Sequence, residues 1–218
     1  GASVSADASS FTDTSASADL TRNLSWRLRK LSHIAKARAR ACTQEGGIDF
    51  VTSEAKVRLD SEGHPVAIDV RRKTDATSLV EEAMILANET VAKHLCQADF
   101  PCIYRVHEQP SPENLAALVP VFQEFSWFAT IDERAFVAGN PHVVQAVLAA
   151  SAGRSEAELV SSLVLRAMKR AVYRVQCEQH YGLASKAYTH FTSPIRRYPD
   201  LVVHRMLRAQ LTRRPEKF

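Results

Sequence analysis

Tyr188-Thr189-His190-Phe191-Thr192-Ser193-Pro194-Ile195-Arg196-Arg197-Tyr198-Pro199-Asp200-Leu201 is the stretch on which the reading of this chain turns. It combines hydroxyls, a Ser-Pro step, two adjacent arginines and several aromatics. Ser193-Pro194 has the chemistry of a helix start, an N-cap hydroxyl followed by proline at the first helical position. A helix opening there directs unsatisfied N–H groups and the positive end of its dipole outward, which favours an anion. Arg196 and Arg197 would then stand in the first turn, where a purely structural helix prefers Asp or Glu. A bound phosphate is one reason for cations in that place. The other is that the arginines cap neighbouring carbonyls or pair with Asp200, and spacing alone does not separate the two.

Working outward, the chain reads as helices with a few strands in no regular β-α alternation, which argues an α+β fold. Residues 19–43 carry a helical stripe of Leu20, Leu24, Leu28, Leu31, Ala35 and Ala39, and Gly46-Gly47 ends it. Val57 and Leu59, then Val66, Ile68 and Val70, alternate on either side of an Asp60-Ser61-Glu62-Gly63 turn and predict a hairpin. Ser78-Leu79-Val80-Glu81 has the spacing of a capping box opening a helix to about Leu95. Cys102 to Val106 reads as a strand, and Ser111-Pro112-Glu113 opens a helix with Leu115, Leu118, Val119 and Phe122 inward. Residues 126–142 show no clear period. Residues 156–174 read as a helix with Leu159, Leu163, Ala167, Ala171 and Val172 inward, and a last helix is expected from Ser193 through Leu211.

The chain has 218 residues, a net charge of +4 and a hydrophobic fraction of 45%, so it can bury a core, and its charge permits a nucleic-acid partner. Arginines and lysines cluster in Arg22–Arg40 and Arg196–Arg214. No apolar run is long enough to span a membrane. Cys42, Cys96, Cys102 and Cys177 lack C-x-x-C spacing and read as free thiols of a reducing cytoplasm. Residues 1–18, rich in Ser and Ala, are expected to be a flexible segment, and 19–218 the folded part.

The stretch from Tyr188 to Leu201 resembles the signature near the end of the RNB catalytic domain of the ribonuclease II / ribonuclease R family. Gly46-Gly47-Ile48-Asp49-Phe50, Val80 to Asn88, Tyr104-Arg105-Val106-His107-Glu108 and His180-Tyr181-Gly182-Leu183-Ala184 fit the same family in order and spacing. The resemblance implies the C-terminal part of a partial RNB domain, a mixed sheet surrounded by helices around a channel for single-stranded RNA. It implies a parent protein that is a Mg2+-dependent 3′-to-5′ exoribonuclease releasing nucleoside 5′-monophosphates. That parent would also carry the N-terminal half of the domain and an S1-type domain.

Residue by residue, the resemblance makes Arg196 the catalytic stabiliser of the scissile phosphate's transition state. It makes Phe50 one jaw of a base clamp and Glu81 a contact to the terminal ribose, with Glu82 as competitor. Thr192, Ser193, Arg197 and Tyr198 are further RNA-binding candidates. The family's tight aspartate cluster is missing. Asp7, Asp13 and Asp19 are the nearest imitation, and Ser15 and Ala16 stand where closely following aspartates would be needed. No metal ligands are therefore assigned, and the chain is expected to be inactive alone. The alternative is a non-catalytic module that binds single-stranded RNA on the same fold. Phe50 as a core residue, Glu81 as a capping acceptor, and His107, His180, His190 and His204 as either packing groups or an acid–base pair stay open at this point.

Overall fold

A computed structural model describes residues 14–50, 54–71 and 73–213. The long helix α1 (Thr14–Gln44) comes first, so residues 14–18 of the expected flexible segment are helical; residues 1–13 lie outside the described residues. Gly46 ends the helix run at φ +100°, and a Cβ there would come within 2.9 Å of Pro141 Cγ. The hairpin follows as expected, β1 (Glu54–Leu59) antiparallel to β2 (Pro65–Arg71) with Val57 opposite Ile68. Its turn is held by Asp60 Oδ1, which accepts from the N–H groups of Glu62 and His64, each at 2.9 Å.

Helix α2 (Asp75–Gln97) begins ahead of the expected start at Ser78. Thr74 is the N-cap, and Thr74 and Thr77 form the capping box reciprocally. Glu81 is therefore free of the capping role. The short strand β3 (Tyr104–Val106) pairs antiparallel with β4 (Val172–Arg174). The expected helix over 156–174 is thus shorter: α7 (Ala157–Ala167) stops, and the β-branched and aromatic Val172-Tyr173 pair joins a sheet.

Between these strands runs a compact helical stretch. The helix expected from Ser111 is broken into α3 (Pro112–Ala116) and α4 (Val119–Gln123), with Pro120 inside the first turn of the second. A 3-10 turn (Ser126–Thr130), α5 (Glu133–Val137) and α6 (Pro141–Ser151) fill the region without a clear period. Asp132 and Asn140 cap α5 and α6 with their side-chain oxygens. The first core is built here around Phe122, Phe136, Val144, Val147, Val160 and Val164, all fully buried. Leu115, Val119 and Phe122 point inward as expected, whereas Leu159 and Val172 are 49% and 41% exposed.

A second core joins α2, β3 and α8 (Tyr198–Thr212) through Leu95, Val106, Ala187 and Val203. Helix α8 starts later than the Ser193 expected, because residues 194–196 form a turn and Arg197 is the N-cap. Arg196 thereby leaves the first helical turn for the turn that precedes it, and Arg197 becomes the helix N-cap.

Phe122 makes ring contacts with Trp127, Phe128 and Phe136 at centroid distances of 6.1, 5.6 and 5.8 Å. Phe122→Ala should destabilise the chain by about 3–5 kcal/mol, read as a lower urea midpoint at unchanged m-value; a midpoint within error of the original would remove this ring cluster from the centre of the core.

Candidate functional site

Helix α2 and the loop before α8 enclose the site. A cavity of about 630 Å³ is lined by Ala76, Thr77, Val80, Glu81, Met84, Ile85 and Asn88 of α2 together with Leu183, Tyr188 and Arg197. Its wall is mostly apolar, and Glu81 and Arg197 are its charged groups. That volume lies within the range of small-molecule sites, and an apolar wall with a few placed polar groups is their usual construction.

The loop is fixed from three sides. Asn88, 2% exposed, donates from Nδ2 to the Tyr188 hydroxyl at 2.9 Å and accepts at Oδ1 from Phe191 N–H at 2.9 Å. His204 of α8 donates from Nε2 to Phe191 O at 2.9 Å and stacks on the Phe191 ring, centroids 4.0 Å apart. Asp200, fully buried, accepts at Oδ1 from Ser193 N–H and from Arg197 Nη2, both at 2.8 Å. Upstream, Arg105 N–H donates to Tyr188 O at 2.8 Å, and a single antiparallel bridge joins Thr189 to Tyr104 of β3.

The expected site residues divide. Glu81 and Arg197 line one cavity; Arg196, Phe50, Thr192, Ser193 and Tyr198 do not line it. Arg197 pairs with Asp200, one of the two roles left open by the sequence. Arg196 is exposed on the turn, beside a fully exposed Ile195, and Tyr198 is 71% exposed. The Thr192 hydroxyl is buried with no hydrogen-bond partner among the described residues. Ser193 uses its N–H on Asp200 and its carbonyl on the N–H groups of Arg196 and Arg197. Phe50 is half-buried outside any strand and packs against the first core.

The competition between Glu81 and Glu82 is resolved by direction. Glu82 turns toward α1, 3.7 Å from Arg38 Nε with its side chain 14% exposed, and burial pushes its carboxyl up against the pull of that arginine. Glu81 turns toward the cavity, where Lys73 Nζ holds its carboxylate at 2.7 Å. Lys73 also reaches Asp49, beside Phe50, at 3.6 Å, and these two contacts raise its pKa, the hydrogen bond to Glu81 contributing most. Asn88, Tyr188 and Lys73 have no role in the expectations drawn from sequence. An asparagine among Met84, Ile85, Val91 and Ala92 on an amphipathic helix is a signal that could have marked Asn88.

His107, His180 and His190 are half-buried packing groups whose pKa values are pushed below the ordinary histidine value. His107 accepts at Nδ1 from Gly182 N–H at 3.1 Å and donates from Nε2 to Lys169 O at 2.8 Å, which fixes its tautomer. Burial lowers its pKa, and burial together with the neighbouring His107 pushes His180 down to about 3. Burial, then the nearby Arg197 charge, pushes His190 down to about 4, and its Nδ1 shares a hydrogen bond with the Tyr173 hydroxyl at 2.8 Å. His180 and His190, uncharged until the pH falls to about 3 and about 4, do not supply a proton-donating imidazolium near neutral pH.

A divalent metal needs several convergent oxygen ligands. Among the described residues no group of three His, Cys, Asp or Glu side chains converges in that way. Asp7 and Asp13 lie outside the described residues, as does the side chain of Asp19. The four cysteines are free thiols, and no helix among the described residues is long and apolar enough to cross a membrane.

The α+β scaffold brings a carboxylate, Glu81, and a guanidinium, Arg197, to the lining of one mostly apolar cavity. The RNB domain family model matches residues 4–213, and the chain belongs to that family. It is 40% identical over 189 residues to ribonuclease R of Aquifex aeolicus, covering 87% of this chain and 26% of that protein. Against ribonuclease R of Thermotoga maritima the identity is 43% over 164 residues, 75% of this chain and 22% of the relative. The apo form of Mycoplasma genitalium RNase R superimposes with a TM-score of 0.78 at 29% identity, over 88% of this chain and 29% of that one. The same enzyme in complex with ribose methylated single-stranded RNA gives a TM-score of 0.75, also at 29% identity and over the same shares of each chain. The chain thus spans about a quarter of the length of the curated relatives it matches.

The neutral histidines generate a pH prediction. An unfolded His180 or His190 takes up a proton near the ordinary histidine value of about 6.5, whereas the folded chain keeps them neutral down to about 3 and about 4. The unfolded state therefore holds more protons in that window. Stability should be fully present above about pH 6.5 and fall as pH drops toward 4, with a slope of up to about 1.4 kcal/mol per pH unit from each group. Urea unfolding at a series of pH values checks this; a midpoint that rises on acidification would contradict the buried neutral state.

Proposed function

We propose that this chain is the RNA-gripping part of a 3′-to-5′ hydrolytic exoribonuclease that degrades single-stranded RNA to nucleoside 5′-monophosphates in the cytoplasm. The observation that carries this reading is the cavity with Glu81 and Arg197 on its wall. A carboxylate there accepts a hydrogen bond from a terminal ribose hydroxyl, the group that distinguishes RNA from DNA. A guanidinium fork suits a phosphate. Lys73 must release Glu81 for that contact to form, and it is exposed enough to turn away into solvent. Phe50, tied to the same corner through the neighbouring Asp49, supplies a ring on which a base can stack irrespective of its identity. Arg196 stands unpaired among the described residues on a turn that Asp200 closes, and we assign it the charge that develops at the scissile phosphate. Thr192, Ser193, Arg197 and Tyr198 complete the set of RNA contacts. The relatives named ribonuclease R support the activity, and the complex with single-stranded RNA supports the substrate.

Hydrolysis in the parent protein is assigned to Mg2+ held by carboxylates that the described residues do not supply, with an S1-type domain and the N-terminal half of the RNB domain as its other parts. No step through the metal is derived from these residues. The second reading is a module that binds single-stranded RNA without cutting it.

Incubating the chain with 5′-labelled single-stranded RNA and Mg2+, with and without EDTA, tests both. Intact RNA in a retarded complex is the expected result. A ladder shortening from the 3′ end that EDTA abolishes would show a metal site in the chain, with Asp7, Asp13 and Asp19 the first residues to mutate. No complex at all would remove the RNA reading. In the same assay Glu81→Ala should reduce the preference for RNA over DNA of equal sequence by about tenfold, the worth of one hydrogen bond to a charged group. Equal losses for both nucleic acids would take Glu81 out of ribose recognition.

A further inference from the structure

Asp200 is the most completely buried charged side chain of the loop region, at 0% exposure, yet it does not line the cavity. A buried carboxylate is tolerated when it is paired and hydrogen-bonded. Its Oδ1 meets both conditions at once. It takes the Ser193 N–H, which closes the turn carrying Arg196, and it takes Nη2 of Arg197, three residues earlier in sequence. One oxygen thereby fixes a backbone turn and the direction of a side chain.

We propose that Asp200 is a positioning residue for nucleotide binding: it holds Arg197 so that the guanidinium's free edge faces a phosphate of the nucleotide in the cavity. This rests on the RNA reading of the cavity given above. Arginine offers five donors in a planar fork, and with Nη2 committed to Asp200 the remaining edge points elsewhere. Arg197 Nε is buried and has no hydrogen-bond partner among the described residues, while the side chain lines the cavity. Asp200 Oδ2 is likewise buried without a partner among the described residues, so the pair is joined through Nη2 and Oδ1 alone and the rest of the fork is left for a phosphate. Lacking such a partner, Arg197 would have many rotamers; the pair with Asp200 removes most of that freedom before the ligand binds, which is the general route by which preorganisation strengthens binding. Arg196, its exposed neighbour, has no such anchor among the described residues. The two arginines thus have different tasks, one fixed in the cavity and one free on the turn.

The test uses the full chain, labelled with 15N, and follows the Nε–H signal of Arg197, identified by its loss in Arg197→Lys. Asp200→Asn keeps the shape and an oxygen acceptor but removes the charge. It should speed exchange of that N–H with water by about tenfold or more and weaken binding of adenosine 5′-monophosphate by about tenfold, as for loss of a hydrogen bond to a charged group. In the Arg197→Lys background the same substitution should cost less than about twofold, because residues acting through one another are not additive. Thermal melting is recorded for each variant. Unchanged exchange in Asp200→Asn, or losses that multiply independently in the double variant, overturn the proposal. A chain that binds no adenosine 5′-monophosphate overturns the nucleotide reading of the cavity, and the exchange rate then decides the positioning by itself. If Asp200→Asn does not fold, Asp200→Glu serves in its place. It retains the charge but moves it by one methylene, and unchanged exchange and affinity there also refute the assignment.

Discussion

The side chain of Asn88 is the joint on which the candidate site depends. It leaves helix α2 at a buried position and satisfies both of its amide ends on the loop before α8, donating to the Tyr188 hydroxyl and accepting from Phe191 N–H. Each hydrogen bond alone contributes about 0.5–1.5 kcal/mol net, and leaving its partner unsatisfied costs more. The specificity matters beyond the energy. A buried amide has a fixed donor end and a fixed acceptor end, so it accepts one relative placement of helix and loop and rejects the neighbouring ones. Glu81, two turns earlier on α2, and Arg197, beyond Phe191, acquire their relation across the cavity from this joint.

The second constraint is electrostatic and acts on the other side of the loop. Asp200 is removed from water, and its compensation consists of one backbone N–H and one arginine. Nearby, burial lowers the pKa values of His107, His180 and His190, and positive groups around each of them lower them further. The region can therefore be densely polar without being densely charged. Tyr173, Tyr188 and His190 form a ring network with centroids 5.7 and 6.0 Å apart that supports the loop's outer edge. The loop is braced on Asp200 through one oxygen only, since Oδ2 is buried without a partner among the described residues.

Some of this is legible in the sequence and some is not, for identifiable reasons. The β1–β2 hairpin can be read because period-two alternation of Val57, Leu59, Val66, Ile68 and Val70 around a turn-rich tetrapeptide has no helical equivalent. The start of α8 departs from expectation because Ser193-Pro194 satisfies the local rule for a helix start, while the Asp200 carboxylate, seven residues on, claims the Ser193 N–H and closes a turn instead. The start of α2 departs for a related reason: Ser78 and Glu81 have capping-box spacing, but Thr74 and Thr77 take that role. Residues 126–142 resist reading because five-residue helices are too short to show a period, although Asp132 and Asn140-Pro141 are usable cap signals. Glu81 and Arg197 line one cavity from positions more than a hundred residues apart, and no local pattern encodes that. Family motifs point to both residues; only the fold brings them to one wall.

The long helix α1 shows the limit of periodicity most clearly. Its apolar stripe is real as a stripe, and Ala35 is buried where α1 meets α2. Yet Leu24, Leu28 and Leu31 remain 56%, 49% and 48% exposed, with Trp26 and Ile34 each 56% exposed beside them. The apolar face of the hairpin behaves in the same way, with Ile68 at 68%. An apolar stripe states that one face of an element is made for burial, not what buries it. Two-stranded ribbons are marginal without a packed face, so the β1–β2 register must rest on its ladder and its Asp60 turn rather than on core contacts among the described residues. The site lies at the opposite extreme. Its helix, loop and following helix share the second core of Leu95, Val106 and Val203, and the polar groups that matter are tied to that core by Asn88, His204 and Asp200. The bracing of Arg197 is thus a local property of α2, the loop and α8, and it does not depend on the exposed faces of α1 and the hairpin.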